Sequence, residues 1–176
     1  MSRPASSSNS RDGKKRKGHH WLIDVVLAFF LVMGFHAWQT RSLAHGPAPT
    51  LSGSMLDGNR RNLESYLGAP VLVHFWATWC PVCKMEEDSI QDLAQDYPVL
   101  TVAMQSEGAS AVNKYMQDNG LDFPVMLDDD GSFSRAWGVT GVPASFVIDA
   151  QGNIRSVAVG YTTKLGLRFR LWLASL

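Results

Sequence analysis

Apolar blocks and polar breaks mark out the elements of the chain in order. Residues 71–76, VLVHFW, are a short apolar run of β-branched and aromatic residues behind Gly68-Ala69-Pro70, and they predict a buried strand. A helix is predicted from Pro81 or Cys83 to Asp96, with Met85, Ile90, Leu93 and Ala94 on its apolar face. Pro98 punctuates it, and 99–104 reads as a second buried strand. A helix over 110–119 ends at Gly120, and a strand over 124–127 leads to the acidic turn Asp128-Asp129-Asp130-Gly131. A helical turn is expected at 133–137. Strands at 144–148 and 153–159 flank the turn at 149–152 as a hairpin. The closing helix, 163–176, carries Leu165, Phe169, Trp172 and Leu173 at helical spacing. Ahead of these, 51–56 reads as an extended entry ending in an Asp57-Gly58-Asn59 turn, and 62–67 as one or two helical turns. The order β-α-β-α-β-β-α predicts an α/β domain over 51–176, a mixed central β-sheet flanked by helices.

The first fifty residues follow a different pattern. Residues 1–20 are rich in Ser, Lys, Arg and Gly, lack apolar periodicity, and read as a disordered leader. Residues 21–38, WLIDVVLAFFLVMGFHAW, are mostly apolar and bracketed by tryptophans. At about 1.5 Å per residue they approach a bilayer core of about 30 Å. The reading is an N-terminal transmembrane helix, a signal anchor. A cleaved signal peptide ending near Ser42-Leu43-Ala44 is the competing reading. Residues 39–50, with Gly46-Pro47 and Pro49, read as a linker.

Charge sharpens this. The whole chain is formally neutral, yet residues 1–20 hold six Lys/Arg against one acid, while His45 onward holds nine Lys/Arg against fourteen Asp/Glu. A mildly acidic domain argues against nucleic-acid binding. A basic leader before an apolar span keeps the leader in the cytoplasm and exports the domain. The expected location is therefore the inner (cytoplasmic) membrane, single-pass, with the C-terminal domain in the periplasm.

The candidate chemistry sits at the end of the first strand. Cys80-Pro81-Val82-Cys83 holds the only two cysteines in the chain. At a strand-to-helix junction the first sulfur meets the unpaired N–H groups of the helix start, which favour the reactive thiolate. Cys80 is expected to be the exposed nucleophile and Cys83 the resolving thiol. Zinc would need more ligands than His74 alone supplies nearby. Met104, Met116 and Met126 are spaced as core residues, and Asp128 to Asp130 read as a solvated turn.

The segment FWATWCPVCK, together with Gly141-Val142-Pro143-Ala144-Ser145-Phe146, resembles the thioredoxin superfamily over roughly 51–176. Within it the chain looks most like the membrane-anchored TlpA/DsbE-like branch, especially the ScsD-like protein disulfide oxidoreductases. The resemblance implies a thioredoxin fold with no cofactor beyond a redox-active Cys80–Cys83 disulfide. It implies a cis-proline at Pro143, with Val142 offering its backbone to substrate, and Trp79 at the lip of the site. Glu86 matches an acid that tunes the cysteine pKa in that branch. An N-terminal helix acid stabilised by the dipole is the plain alternative. His74 stands where ordinary thioredoxins carry a buried Asp, so it reads either as a proton-transfer group or as a hydrogen-bonded core histidine. The implied partners are protein thiols and disulfides and a DsbD-like transmembrane electron donor. The expected activity is thiol–disulfide exchange, as a reductase. A disulfide oxidase, or a copper or apo-cytochrome binding protein, is the alternative. A monomer is expected, because no second hydrophobic surface is evident in the sequence.

Overall fold

The structure, a computed structural model, describes residues 17–40 and 42–176. Most of the predicted leader over 1–20 therefore lies outside the described residues. Two compact units divide at residues 41 and 42.

The first unit contains helix α1, Lys17–Thr40. Its described large apolar side chains, from Trp21 to Met33, are exposed. Among the described residues no helix is long and apolar enough to cross a membrane. The span predicted over 21–38 falls within α1, where the side chains of 22, 32 and 35–38 lie outside the described residues.

The second unit is built on a six-stranded sheet of order β1-β8-β7-β4-β5-β6. Its strands are β1 Gly46–Pro47, β4 Val71–Trp76, β5 Val99–Met104, β6 Val125–Asp128, β7 Ala144–Ile148 and β8 Asn153–Val159. β4, β5 and β6 run parallel, while β7 and β8 are antiparallel to their neighbours. Every residue of β4 and β5 is buried, as expected for strands covered on both faces. A separate hairpin pairs β2 Ser52–Ser54 with β3 Arg60–Asn62. A 3-10 turn at Leu63–Tyr66 follows, its start capped by the Asn62 side chain.

Alternation along β4 separates two cores. Leu72 and Trp76 face one layer with Cys80, Cys83, Ile90, Leu93, Leu167 and Leu171. Val71, Val73 and Phe75 face the other, with Met104, Met126, Trp137 and Phe146. The first layer is roofed by α2 Pro81–Lys84, α3 Glu87–Asp96, α4 Gly108–Asp118 and α6 Lys164–Ala174; α5 is Ser132–Ala136. Met104, Met116 and Met126 are all buried, as the spacing predicts.

Several expectations change. The domain starts at Ser42 rather than 51. Leu43 is buried, Ala44 N–H donates to the Trp137 carbonyl at 3.0 Å, and β1 forms the edge of the sheet by pairing with β8. Most of the predicted linker is thus a strap fastened to the fold. It crosses Gly138 so closely that a Cβ there would lie 1.6 Å from the Ser42 carbonyl oxygen. The helix predicted to run on to Asp96 breaks at Met85–Glu86. There two successive N–H groups bond three residues back, Met85 to Val82 at 3.1 Å and Glu86 to Cys83 at 3.0 Å. Met85, expected on the apolar face, is exposed instead. Asp128 is no solvated turn residue. It is buried and accepts from the Phe133 and Ser134 N–H groups, both at 2.9 Å, holding the start of α5. In α6 the buried stripe is Leu167 and Leu171, while Leu165, Phe169, Trp172 and Leu173 face outward. The second hydrophobic surface that the sequence reading did not find is therefore present.

Candidate active site

Cys80 and Cys83 form a disulfide at the carboxyl end of β4. The junction folds this way because β4 ends at Trp76 and Pro81 starts the helix, where its missing N–H costs nothing. Cys80 is the N-cap of α2, and its Sγ accepts from the Cys83 N–H at 3.1 Å. The same sulfur lies 3.6 Å from the Val142 carbonyl oxygen, and the Val142–Pro143 bond is cis. Exposure does not separate the two cysteines as expected, because the disulfide leaves them 5% and 4% exposed. Position separates them. Cys80 caps the helix beside the Val142 carbonyl, and Cys83 lies within the first turn.

Trp79, next to Cys80 in the chain, is 57% exposed. Its Nε1–H donates to the Gln105 carbonyl at 3.0 Å, and Thr78 N–H donates to Ser106 Oγ at 3.1 Å. Trp76 packs beneath, its Nε1–H donating to Thr101 Oγ1 at 3.1 Å. Thr101 in turn donates to the Pro124 carbonyl at 2.9 Å.

His74 lies on the cysteine side of the sheet, between Thr101 and Ser145 in the strand register. Its Nδ1 is 2.9 Å from Ser145 Oγ. Burial lowers its pKa to about 4, so the ring is neutral near pH 7. The geometry is that of a hydrogen-bonded core histidine.

Glu86 turns inward at the break between α2 and α3 and is 1% exposed. It lies three residues after Cys83, on the same helical face. One carboxylate oxygen accepts the Thr162 N–H, and the other is buried without a partner. Burial raises its pKa to about 7, against the Thr162 hydrogen bond that lowers it. Such a group holds or releases a proton near neutrality.

The sequence-predicted residues Cys80, Cys83, Trp79, Val142, Pro143 and Glu86 thus lie at the carboxyl end of β4, while His74 sits within the strand, bonded to Ser145. Ser145, Thr162, Gln105 and Ser106 complete the site and were missed, because each meets its partner only through the tertiary fold. Among the described residues, no group of three His, Cys, Asp or Glu converges as a metal site.

The AhpC/TSA family model matches residues 45–157. A thioredoxin-like protein from Haemophilus influenzae is 35% identical over 154 residues, 86% of this chain and 92% of that one. The thiol-disulfide oxidoreductase ResA of Geobacillus thermodenitrificans is 28% identical, covering 85% of this chain and 88% of its own. Among solved structures, a thioredoxin-family thiol:disulfide interchange protein from Chlorobium tepidum superimposes with a TM-score of 0.66 at 32% identity, over 76% of this chain and 98% of that one. With its cysteine pair at the head of α2 and relatives named for disulfide exchange, the chain belongs to the AhpC/TSA family of thioredoxin-like proteins and is a thiol–disulfide oxidoreductase.

Proposed function

We propose that this oxidoreductase works as a reductase, tethered to the inner membrane through residues 21–38, with its domain in the periplasm. The observation that carries the direction is the buried acid Glu86, which turns inward three residues after Cys83. His74 is neutral, Glu86 is an acid, and Lys84, the nearest cation in sequence, is exposed. Strong oxidants owe their potential to a stabilised reduced thiolate. A buried acid beside Cys83 works against that thiolate, and the pair is held toward a reducing potential. The apolar stretch bracketed by Trp21 and Trp38, behind a basic leader, supports the tether.

In the reducing direction the Cys80 thiolate attacks one sulfur of a substrate disulfide. The substrate S–S bond breaks, a mixed disulfide forms on Cys80, and the other substrate sulfur leaves as a thiolate. Glu86 accepts the Cys83 proton. The Cys83 thiolate then attacks Cys80 Sγ, closing the Cys80–Cys83 bond and releasing the second substrate sulfur as a thiolate, which takes a proton from Glu86 or solvent. Substrate gains two electrons and the enzyme loses two. A dithiol donor must return them, and a DsbD-like transmembrane protein is the donor proposed here. Protein disulfides are the substrate class.

Equilibration of the full chain against dithiothreitol and glutathione tests the direction. A potential near the thioredoxin value of about −270 mV is expected. A value near about −120 mV would make the protein a disulfide donor. No reversible two-electron couple at all would remove exchange chemistry and leave metal binding.

A further inference from the structure

Helix α6 buries Leu167 and Leu171 and turns Leu165, Phe169, Trp172 and Leu173 to solvent, with Leu176 exposed just past its end. The spacing of the four helical residues places them on one face. Phe169 and Trp172 stack, with ring centroids 5.9 Å apart. Such a stripe on a small domain marks an interaction surface.

Its position relates it to the disulfide. The Thr162 N–H, just before α6, bonds Glu86, just before α3. Farther along, Lys164 pairs with Asp92 at 2.5 Å, and Arg168 pairs with Asp96. Partner numbers rise together, so α6 runs alongside α3 in the same direction. Its stripe begins at the disulfide end and extends about 16 Å over the 11 residues of the helix. At that end Trp79, Val82, Met85 and Tyr161 are further exposed apolar side chains around the cysteine pair. The Thr162–Glu86 hydrogen bond therefore sets the start of the stripe near the exchange site.

The same contacts separate the possible occupants. An anionic lipid surface would be held by free cations beside the stripe. Here Lys164 and Arg168 are turned toward Asp92 and Asp96 of α3, and Arg170 Nη1 donates to the Val157 carbonyl at 3.1 Å. A second copy needs about 20–30 residues a side for a stable dimer, far more than five side chains provide. A partner already joined through a mixed disulfide needs only a modest added contact.

We propose that the α6 stripe is a docking track for the protein substrate. The substrate class is a disulfide-bearing chain with leucine or aromatic side chains within about six extended residues of its reactive cysteine, roughly 20 Å. This rests on the exchange activity proposed above and adds its specificity.

The test uses the reduced full chain in phosphatidylcholine nanodiscs and two synthetic peptide disulfides. One carries Leu and Phe at alternate positions beside its cysteine; the other carries Ser and Gln there. Glutathione disulfide is the small control. The wild type should reduce the apolar peptide about tenfold faster than the polar one, about 1.4 kcal/mol of transition-state binding. The double variant Phe169→Glu, Trp172→Glu should lose that preference and reduce glutathione disulfide within about twofold of wild type, as expected for exposed positions. Hydroxyl-radical footprinting of the chain alone should label Phe169 and Trp172. A preference that is absent, or that survives the double variant, overturns the proposal. Protection of both residues before peptide is added also overturns it, because lipid or a second copy then holds the stripe. Failure to reduce glutathione disulfide would instead sink the exchange reading itself.

Discussion

The carboxylate of Glu86 accepts the backbone N–H of Thr162, 76 residues farther along the chain, and so ties the break between α2 and α3 to the entrance of α6. The second carboxylate oxygen has no partner, and burial lifts the pKa from 4.5 to about 7. The folded chain therefore keeps a proton that the unfolded chain loses between those values. The resulting stability is fully present below pH 4.5 and is lost as pH rises through about 7, on the order of 2–3 kcal/mol.

His74 acts in the opposite sense. Its pKa falls from 6.5 to about 4 on burial, so the unfolded chain takes up the proton first as pH drops. Its contribution is present above pH 6.5 and is lost as pH falls through about 4. The two slopes oppose each other between pH 4.5 and 6.5, and the wild type should show a shallow profile there. Urea unfolding of the oxidised chain separates them. Glu86→Gln, whose amide oxygen still accepts from Thr162, should leave stability rising with pH across this window. His74→Gln should leave it falling. Parallel profiles in both variants would show that neither group titrates as its burial requires.

The same proton governs exchange. If Glu86 takes the Cys83 proton, Glu86→Gln should slow resolution of a mixed disulfide by about 10- to 100-fold near pH 7, within the usual reach of one general base. Stopped-flow fluorescence across pH 5.5–9 reads this directly. The wild-type rate should show an inflection near 7 that disappears in the variant, with hydroxide restoring the rate at high pH. An unchanged inflection would move the proton acceptor elsewhere.

How much of this was legible from sequence depended on how local the signal was. The strands at 71–76, 99–104, 144–148 and 153–159 were bounded by glycine, proline and polar turns, and the cysteine pair is a four-residue motif. The face of α6 was not legible. Leu165, Phe169 and Trp172 recur at helical spacing, and so do Leu167 and Leu171, so periodicity alone cannot choose the buried stripe. Met85 is exposed because the helix breaks beside it, where Glu86 turns inward and accepts the Thr162 N–H. Asp128 looked like one of three solvated acids until the fold brought the amides of α5 onto it.

Sulfur roles follow from position, since burial does not distinguish the pair. Cys80 caps α2 and its Sγ lies 3.6 Å from the Val142 carbonyl oxygen, while Cys83 lies within the first turn. Cys83→Ala should accumulate substrate as a mixed disulfide on Cys80, and Cys80→Ala should accumulate none. Non-reducing electrophoresis followed by peptide mass mapping reads the attachment site. Adducts on Cys83 in Cys80→Ala, at a yield like that of the other variant, would reverse the assignment.

The strap over 42–47 closes on the corner at Gly138. Gly138 has φ +69°, and a Cβ added there would lie 1.6 Å from the Ser42 carbonyl oxygen. Ser42 and Ala44 both bond this corner, through Ser42 Oγ to the Gly138 carbonyl at 3.2 Å and Ala44 N–H to the Trp137 carbonyl at 3.0 Å. An alanine cannot be accommodated by a rotamer change, because the obstacle is backbone. Gly138→Ala should therefore either displace the strap or strain the corner, costing about 2–4 kcal/mol of unfolding free energy. Released Leu43 would leave its buried seat, and limited proteolysis should then cut near Ser42 in the variant and spare the wild type. The cysteine pair lies on other elements, so exchange with dithiothreitol below the unfolding transition should change by less than about twofold. A variant as stable and as resistant to proteolysis as wild type would show that the strap does not bear on the domain.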